Sequence, residues 1–171
     1  MDIQYSKCTL KDADKLAALA KQTFVDAFEK DNDPEDFWSY TNTAFSTETI
    51  ERQLKEPKSH FYFVHHGSAL IGYFKLNEPA AQSDLKEPGT IELERIYISK
   101  DFQGKGLGAK VLRKAIAIAQ KFNPEYLWLG VWEHNGSAIR FYEKHGFVKF
   151  GEHPYWLGSD KQTDWLMRLP C

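Results

Sequence analysis

The chain has 171 residues, of which 42% are hydrophobic and 27% are charged. This length suits one domain with a sizeable core, and the composition is typical of a water-soluble globular protein. The formal net charge of −2 argues against a general nucleic-acid or membrane-surface binder. Two cysteines, Cys8 and Cys171, are too few for a disulfide framework or a cysteine-rich zinc site. No signal-peptide pattern opens the sequence, so a cytoplasmic protein is expected.

The first half of the chain is expected to supply helices and a β-hairpin. Helical spacing of apolar residues, N-cap residues and glycine turns locate these elements. The predicted elements are a short strand over 2–8, a helix over 10–29, a second helix from Asp33-Pro34, a third capped by Ser46 or Thr47, hairpin strands over 60–65 and 69–76, and a loop over 77–90.

A change of phase within residues 91–98 predicts a β-bulge. The apolar side chains fall on odd numbers up to Leu93 and on even numbers from Ile96. Because a strand has a period of two residues, its buried face can change only if an extra residue is inserted, here near 94–95. A bulge leaves backbone groups unpaired and splays the strand from its neighbour. A ligand could add its own amides to the ladder at that point.

A glycine-rich turn at residues 103–108 (QGKGLG) follows this strand and opens a helix. Backbone N–H groups at such a helix start can approach an anion, and the helix dipole favours negative charge there. The turn lacks the Gly-Lys-Ser/Thr of a Walker A loop, and its third glycine comes one residue early for the dinucleotide motif. Six basic residues against one acid within 100–121 favour a ligand with several phosphates. A solvated helix face is the alternative interpretation of this charge.

The rest of the chain predicts a buried strand, one short helix and a closing hairpin. Residues 126–132 are nearly all apolar, as in a strand that is covered on both faces. Asn135 is a good N-cap for a helix over 138–144, and Gly146 can end that helix. Strands over 147–150 and 163–169 are expected to close the sheet.

Two of these segments together resemble the GNAT N-acetyltransferases. The matching residues are Gln103, Gly106 and Gly108 of their motif A, and Asn135, Ala138, Tyr142, Gly146 and Phe147 of their motif B. Within that family, the stretches 92–98, 128–133 and 162–164 are similar to the bacterial PaiA-type polyamine acetyltransferases. The resemblance implies one α/β (α+β) domain over residues 1–171, with a mixed, mostly antiparallel sheet flanked by helices.

The resemblance also implies acetyl-CoA as co-substrate. The strand end would pair with the pantetheine arm, the glycine turn would hold the pyrophosphate, and Asn135 would contact the pantetheine or shape the site. The residues implied to bind the cofactor are Ile96, Tyr97, Ile98, Gln103, Gly104, Lys105, Gly106, Leu107, Gly108, Ala109, Asn135 and Tyr142. The histidines show no ligand spacing, so no metal site is expected.

Acetylation of an amine requires a group that takes the proton of the ammonium form. Because the ammonium form has a pKa of about 10.4, deprotonating a primary amine at pH 7 costs roughly 4.6 kcal/mol. Glu94 and Glu92 both leave the strand beside the predicted bulge and are the candidate bases. The resemblance matches Glu94 to the acid of the animal spermidine/spermine enzymes and Glu92 to that of the histone acetyltransferases, and Glu94 ranks first. The alternative is that a water relay takes the proton and that Glu92 and Glu94 are ordinary strand residues.

Tyr142 would lie by the thioester sulfur as general acid. A phenol has a pKa of about 10 and a thiol of about 8.5, so full proton transfer is uphill and hydrogen-bond donation to the developing thiolate is favoured. The alternative interpretation is a packed aromatic ring whose hydroxyl is satisfied. Cys8 and Cys171 lie outside both motifs and are not expected to act as nucleophiles.

Residues 26–36 carry six acids against Lys30 alone. In this fold the first helices line the acceptor side, so an acidic rim with Phe37, Trp38 and Tyr40 would attract a polyamine such as spermidine or spermine. A solvated helix end with core aromatics is equally consistent with the sequence. Other acceptors are a protein N-terminus or lysine, an amino acid or an aminoglycoside, and a non-catalytic acyl-CoA-binding module is a further alternative. A monomer or homodimer is expected.

Overall fold

The computed structural model describes residues 2–171. Its helices are α1 (Ala13–Phe28), α2 (Pro34–Ala44), α3 (Thr47–Lys55), α4 (Leu107–Gln120) and α5 (Gly136–Lys144). Its strands are β1 (Ile3–Lys7), β2 (Ser59–His66), β3 (Ala69–Asn77), β4 (Thr90–Ile98), β5 (Tyr126–Trp132), β6 (Val148–Leu157) and β7 (Asp160–Pro170). No helix within residues 2–171 is both long and apolar enough to span a membrane.

The seven strands form one sheet in the order β1-β2-β3-β4-β5-β7-β6. Neighbouring strands are antiparallel except β4 and β5, which are parallel. This confirms the mixed, mostly antiparallel sheet. Two helices supply crossover connections between parallel strands: α4 joins β4 to its neighbour β5, and α5 joins β5 to β6, which lies beyond β7 in the sheet.

Helices cover both faces of the sheet and create two cores. On one face, Val111, Leu112 and Ala115 of α4 pack on apolar side chains of β3, β4 and β5. On the other face, Leu16 and Phe24 of α1 pack in one apolar cluster with residues of α2, α3, β2 and β3. Sheet residues therefore point alternately into one core or the other.

Short-range signals located several helix ends correctly, although the helix predicted over 138–144 already begins at Gly136. Asp33 accepts a hydrogen bond from the Asp36 N–H (3.2 Å), and Ser46 accepts one from the Thr49 N–H (3.1 Å). Gly146 has a positive φ of 95° where α5 has ended. The helix predicted over 10–29 is α-helical from Ala13, because residues 10–12 form a 3₁₀ turn.

The predicted bulge is confirmed at Glu94. Lys75 of β3 pairs with Arg95, whereas the next residue of β3, Leu76, pairs with Leu93, so Glu94 has no partner opposite it. The extra residue changes the buried face of β4, as the apolar pattern required.

The closing hairpin is much longer than predicted, and the predicted bounds of 147–150 and 163–169 were wrong. β6 and β7 stay paired from Val148↔Arg168 out to a turn at Gly158 and Ser159. β6 is an edge strand, so Pro154 can lie within it without removing a hydrogen bond that the sheet needs. In the sheet, β7 lies between β5 and the edge strand β6.

Candidate active site

The parallel strands β4 and β5 separate part-way along their length. They pair only from Thr90↔Tyr126 to Glu92↔Trp128. Beyond this point the bulged half of β4 keeps its partner on β3 but lies apart from β5. The gap opens into a cavity of about 520 Å³.

Six of the predicted site residues line this one cavity. They are Glu92, Glu94, Ile96, Tyr97, Asn135 and Tyr142. The glycine turn lies outside the lining, next to the end of β4. Its Gln103 donates a side-chain hydrogen bond to the Ile98 carbonyl (2.8 Å), which ties the turn to the strand end.

The glycine turn presents backbone rather than side chains at the start of α4. Gly104 and Gly106 both have φ of 75°, and neither has another heavy atom within 4 Å of the position that a Cβ would occupy. Leu107 is buried in the core and Gly108 packs near Phe141, so these residues offer only their backbone to a ligand. The first N–H groups of a helix have no partner within the helix. Lys105 beside them is exposed.

Glu94 is held in a buried ion-pair network. Lys75 donates to both of its carboxylate oxygens (3.0 Å each), and Arg95 Nε lies 3.1 Å away. Burial alone would raise the pKa of Glu94, but the charges of Arg95 and Lys75 outweigh it and hold the pKa below the ordinary value. Gln53 of α3 accepts hydrogen bonds from Lys75 and Arg95 (3.3 Å each). Glu94 is therefore a stable anion whose oxygens are occupied.

Glu92 has a different environment, with no cation bound to it among residues 2–171. It accepts hydrogen bonds from Asn77 Nδ2 (2.9 Å), the Ser83 N–H (2.9 Å) and the Ser83 hydroxyl. Burial and the nearby negative charge of Glu94 raise the pKa of Glu92. Ser83 itself is exposed and lines the cavity, so its hydroxyl connects Glu92 to the open space.

Tyr142 reaches the cavity from α5. Its ring packs edge-on against Phe147, with ring centroids 5.7 Å apart. No hydrogen bond to its hydroxyl is found within residues 2–171, and burial raises its pKa to about 12. The hydroxyl is therefore neutral at physiological pH and free to donate. Asn135 is partly engaged, because its Oδ1 caps α5 by accepting from the Ala138 N–H (3.3 Å).

Four polar residues of the cavity, Asp84, His153, Tyr155 and Asp164, were not predicted as site residues. Asp84 of the loop before β4 forms an ion pair with His153 of β6. Tyr155 of β6 donates a hydrogen bond to the hydroxyl of Tyr40 on α2. Asp164 of β7 also lines the cavity. Three of these four residues, His153, Tyr155 and Asp164, belong to the hairpin whose length was underestimated.

The family assignment follows from comparison with known proteins. The model of the Acetyltransferase (GNAT) family matches residues 18–147. The chain belongs to the GNAT acetyltransferase family. It is an acetyl-CoA-dependent N-acetyltransferase, and acetyl-CoA is its co-substrate.

Individual relatives agree with this family. An uncharacterized N-acetyltransferase in the pepI 3′ region of Lactobacillus delbrueckii subsp. lactis is 38% identical over 158 residues, 92% of this chain and 91% of that protein. The spermine/spermidine N(1)-acetyltransferase of Bacillus subtilis (strain 168) is 37% identical over 87 residues, 50% of this chain and 54% of that protein. The crystal structure of the PaiA N-acetyltransferase of Thermoplasma acidophilum with coenzyme A has a TM-score of 0.76 and 22% identity, over 100% of both chains. At that identity the likeness shows the fold.

The residues present fit a CoA thioester. The gap between β4 and β5 leaves backbone groups with which a pantetheine arm could pair, and the open glycine turn presents N–H groups that could bind a pyrophosphate. The six basic residues between 100 and 121 are all exposed, as a multiply phosphorylated ligand requires. No group of three or more His, Cys, Asp or Glu side chains suited to a metal ion occurs within residues 2–171.

Gly106→Val is expected to weaken CoA binding about tenfold or more. Valine disfavours the φ of 75° found at the N-cap of α4, and the strain of about 1–3 kcal/mol would reshape the turn. The space beside Gly106 is open, so the loss would come from backbone conformation rather than from a steric clash. Calorimetry with CoA measures the affinity, and Ala117→Val on the exposed side of α4 is the control. Unchanged affinity in Gly106→Val would show that the turn does not bind CoA.

The predicted acidic rim lies apart from the main cavity. None of the six acids of residues 26–36 lines that cavity. Asp26 and Glu29 line a separate depression with Trp38, and Phe37 is fully buried. Of the three aromatic residues predicted to contact the acceptor, only Tyr40 faces the main cavity. The acids therefore resemble a solvated helix end, whereas the three aromatic residues divide between the core (Phe37), the surface (Trp38) and the main cavity (Tyr40).

Proposed function

We propose that this enzyme acetylates a polyamine such as spermidine or spermine. The observation that carries the proposal is the charge of the cavity, whose lining includes four carboxylates, one arginine and one histidine. These carboxylates are Asp84, Glu92, Glu94 and Asp164. A cavity with an excess of negative charge attracts a polycation and disfavours an anionic acceptor.

The aromatic lining suits the same acceptor. Rings from α1, α2, the residue after α2, β5 and β6 surround the cavity, and the partly exposed ones offer surface for methylene chains and π faces for ammonium groups. The lining rings outside β4 and α5 are Phe24, Phe28, Tyr40, Phe45, Trp128, Trp132 and Tyr155. The likeness to the Bacillus subtilis spermine/spermidine enzyme, over half of this chain, also supports a polyamine.

The proposed reaction is direct attack in a ternary complex. The unprotonated amine nitrogen bonds to the acetyl carbon, the thioester C–S bond breaks, and CoA leaves as a thiolate. Tyr142 donates a hydrogen bond to that sulfur as its charge develops. With the pKa of Tyr142 at about 12, complete proton transfer to a thiolate of pKa about 8.5 would cost on the order of 5 kcal/mol. Donation without transfer is therefore the role that we assign to this hydroxyl.

The surroundings of the two predicted bases favour Glu92 over Glu94. Protonating Glu94 would leave Lys75 and Arg95 without their counter-ion, so this carboxylate is a poor proton acceptor. Burial and the charge of Glu94 raise the pKa of Glu92, which is the direction that favours a general base, and the Ser83 hydroxyl gives it a path to the cavity. We propose that the amine proton reaches Glu92 through Ser83 or a water molecule.

A CoA-release assay with a panel of amines tests the proposed acceptor. The panel contains spermidine, spermine, a lysine peptide, amino acids and an aminoglycoside. We expect kcat/KM for spermidine and spermine to exceed that for the other amines by at least tenfold. Faster turnover of an amino acid, which carries a carboxylate, would contradict the charge argument. A cytoplasmic location and a monomeric or homodimeric state stay predictions.

A further inference from the structure

Asp164 is the one carboxylate of the cavity lining for which no ion pair or side-chain hydrogen bond is found within residues 2–171. The other three are engaged: Asp84 with His153, Glu92 with Ser83 and Asn77, and Glu94 with Lys75 and Arg95. Arg95 and His153, the two basic residues of the lining, thus already contact Glu94 and Asp84. Asp164 therefore presents an uncompensated negative charge to the cavity.

The backbone holds Asp164 in place from both neighbouring strands. It lies opposite Trp132 of β5 and His153 of β6 in the register of the sheet, so the three side chains share one face. Gly130 leaves the room for it: a Cβ there would lie 3.3 Å from Asp164 Oδ2. A carboxylate in this position points into space that no side chain at residue 130 occupies.

The groups around Asp164 give it no positive charge. The titratable groups that face it are His153 and Tyr155 of β6 and Tyr40 of α2. His153 is held by Asp84, and the two tyrosines are neutral because burial raises the pKa of each. Burial likewise raises the pKa of Asp164 to about 6, with no cation to oppose the shift. It is still mostly ionised at pH 7.5.

We propose that Asp164 binds an ammonium group of the acceptor and is the residue that selects cationic substrates. The assignment rests on the proposed polyamine acetylation and deepens it. An ammonium group supplies the counter-ion that the protein itself does not provide, and Trp132 beside Asp164 offers a π face to the same cation. Asp164 is a binding residue in this scheme and takes no part in the proton transfer assigned to Glu92.

Calorimetric titration of the CoA complex with spermidine tests this role without requiring turnover. At pH 7.5, Asp164→Asn is expected to lower spermidine affinity about tenfold or more, because a hydrogen bond to a charged group is lost. Asp164→Glu should recover part of the affinity. Asp160→Asn, which removes the same charge on β7 outside the cavity, should leave it within twofold. CoA affinity should stay within twofold in all three variants.

The pH dependence of binding adds a readout that a structural role would not change. Spermidine affinity of the wild type should fall as the pH drops through about 6, where Asp164 becomes protonated. In Asp164→Asn this fall should be largely absent. Gly130→Ala should weaken spermidine binding by a smaller factor, since its Cβ would displace the carboxylate but keep the charge.

Three outcomes would overturn the role of Asp164. They are spermidine affinity within twofold of wild type in Asp164→Asn, an equal loss of CoA binding in that variant, and no spermidine binding by the wild-type CoA complex. Failure of the proposed function is a separate result, seen when the wild type releases no CoA with either polyamine. A protein that binds spermidine through Asp164 without acetylating it would contradict the proposed function alone.

Discussion

Tyr142→Phe is expected to lower kcat about a hundredfold while acetyl-CoA affinity stays within twofold. Phenylalanine keeps the ring that packs on Phe147 and removes only the hydroxyl. That hydroxyl is proposed to stabilise the thiolate that forms when the C–S bond breaks, and such a contact strengthens only in the transition state. Proton-donating or hydrogen-bonding groups at a reacting atom typically contribute about 10²–10⁴-fold.

Tyr126→Phe is the matched control for this variant. Tyr126 begins β5, and its hydroxyl donates to Glu87 outside the cavity. Its kcat should stay within about twofold of wild type. If Tyr142→Phe lost CoA affinity and kcat by the same factor, the hydroxyl would serve binding and its role at the sulfur would be refuted.

Glu94→Gln is expected to lower the free energy of unfolding by about 3–5 kcal/mol. Glutamine has nearly the same shape but cannot neutralise Lys75, whose side chain is only 4% exposed, or the adjoining Arg95. Removing one partner of a buried ion pair leaves the other charge uncompensated, which is the costly case. Urea denaturation at pH 7 measures the difference, with Glu143→Gln on the exposed side of α5 as the control.

The destabilisation of Glu94→Gln should shrink in acid. Because the pKa of Glu94 is lowered in the folded protein, its contribution is fully present above the ordinary glutamate pKa of about 4.3. The contribution is lost as the pH falls through the lower pKa of the folded state. Glu143→Gln should change stability by less than about 0.5 kcal/mol at either pH. An equally small change in Glu94→Gln at pH 7 would refute the structural role of this network.

The parts of the fold that depend on residues close together in the sequence could be predicted. Asp33 and Ser46 cap their helices, and the change of apolar phase placed the bulge of β4 at Glu94. Each of these signals acts over a few residues. The motifs of the glycine turn and α5 then located the family and the position of Tyr142.

The chemistry of the two glutamates depended on contacts that sequence spacing does not reveal. Lys75 lies 19 residues from Glu94, and Gln53 lies 42 residues from Arg95. These contacts make Glu94 an ion-paired structural anion, whereas the resemblance ranked it first as base. Nothing in β4 alone distinguishes it from Glu92, because both leave the same strand beside the same bulge.

Asp164 lies within the strand predicted over 163–169, but its place opposite Trp132 and His153 was missed because β6 was predicted to end at residue 150. Gly151, Pro154 and Gly158 interrupt the sequence where β6 in fact continues. The residue types give no alternating signal, since Tyr155, Trp156 and Leu157 are three consecutive apolar residues, and only the folded strand shows residues 151–157 alternating between covered and exposed side chains. Such alternation is typical of an edge strand that covers a core on one side.

Initial rates with both substrates varied test the central claim most directly. The claim is that acetyl-CoA and the amine meet in the cavity between β4 and β5 and react without a covalent enzyme intermediate. Double-reciprocal plots of CoA release against spermidine, at several acetyl-CoA concentrations, should give intersecting lines, and mass spectrometry should detect acetylspermidine. Parallel lines, together with an acetylated protein after incubation with acetyl-CoA alone, would contradict direct transfer.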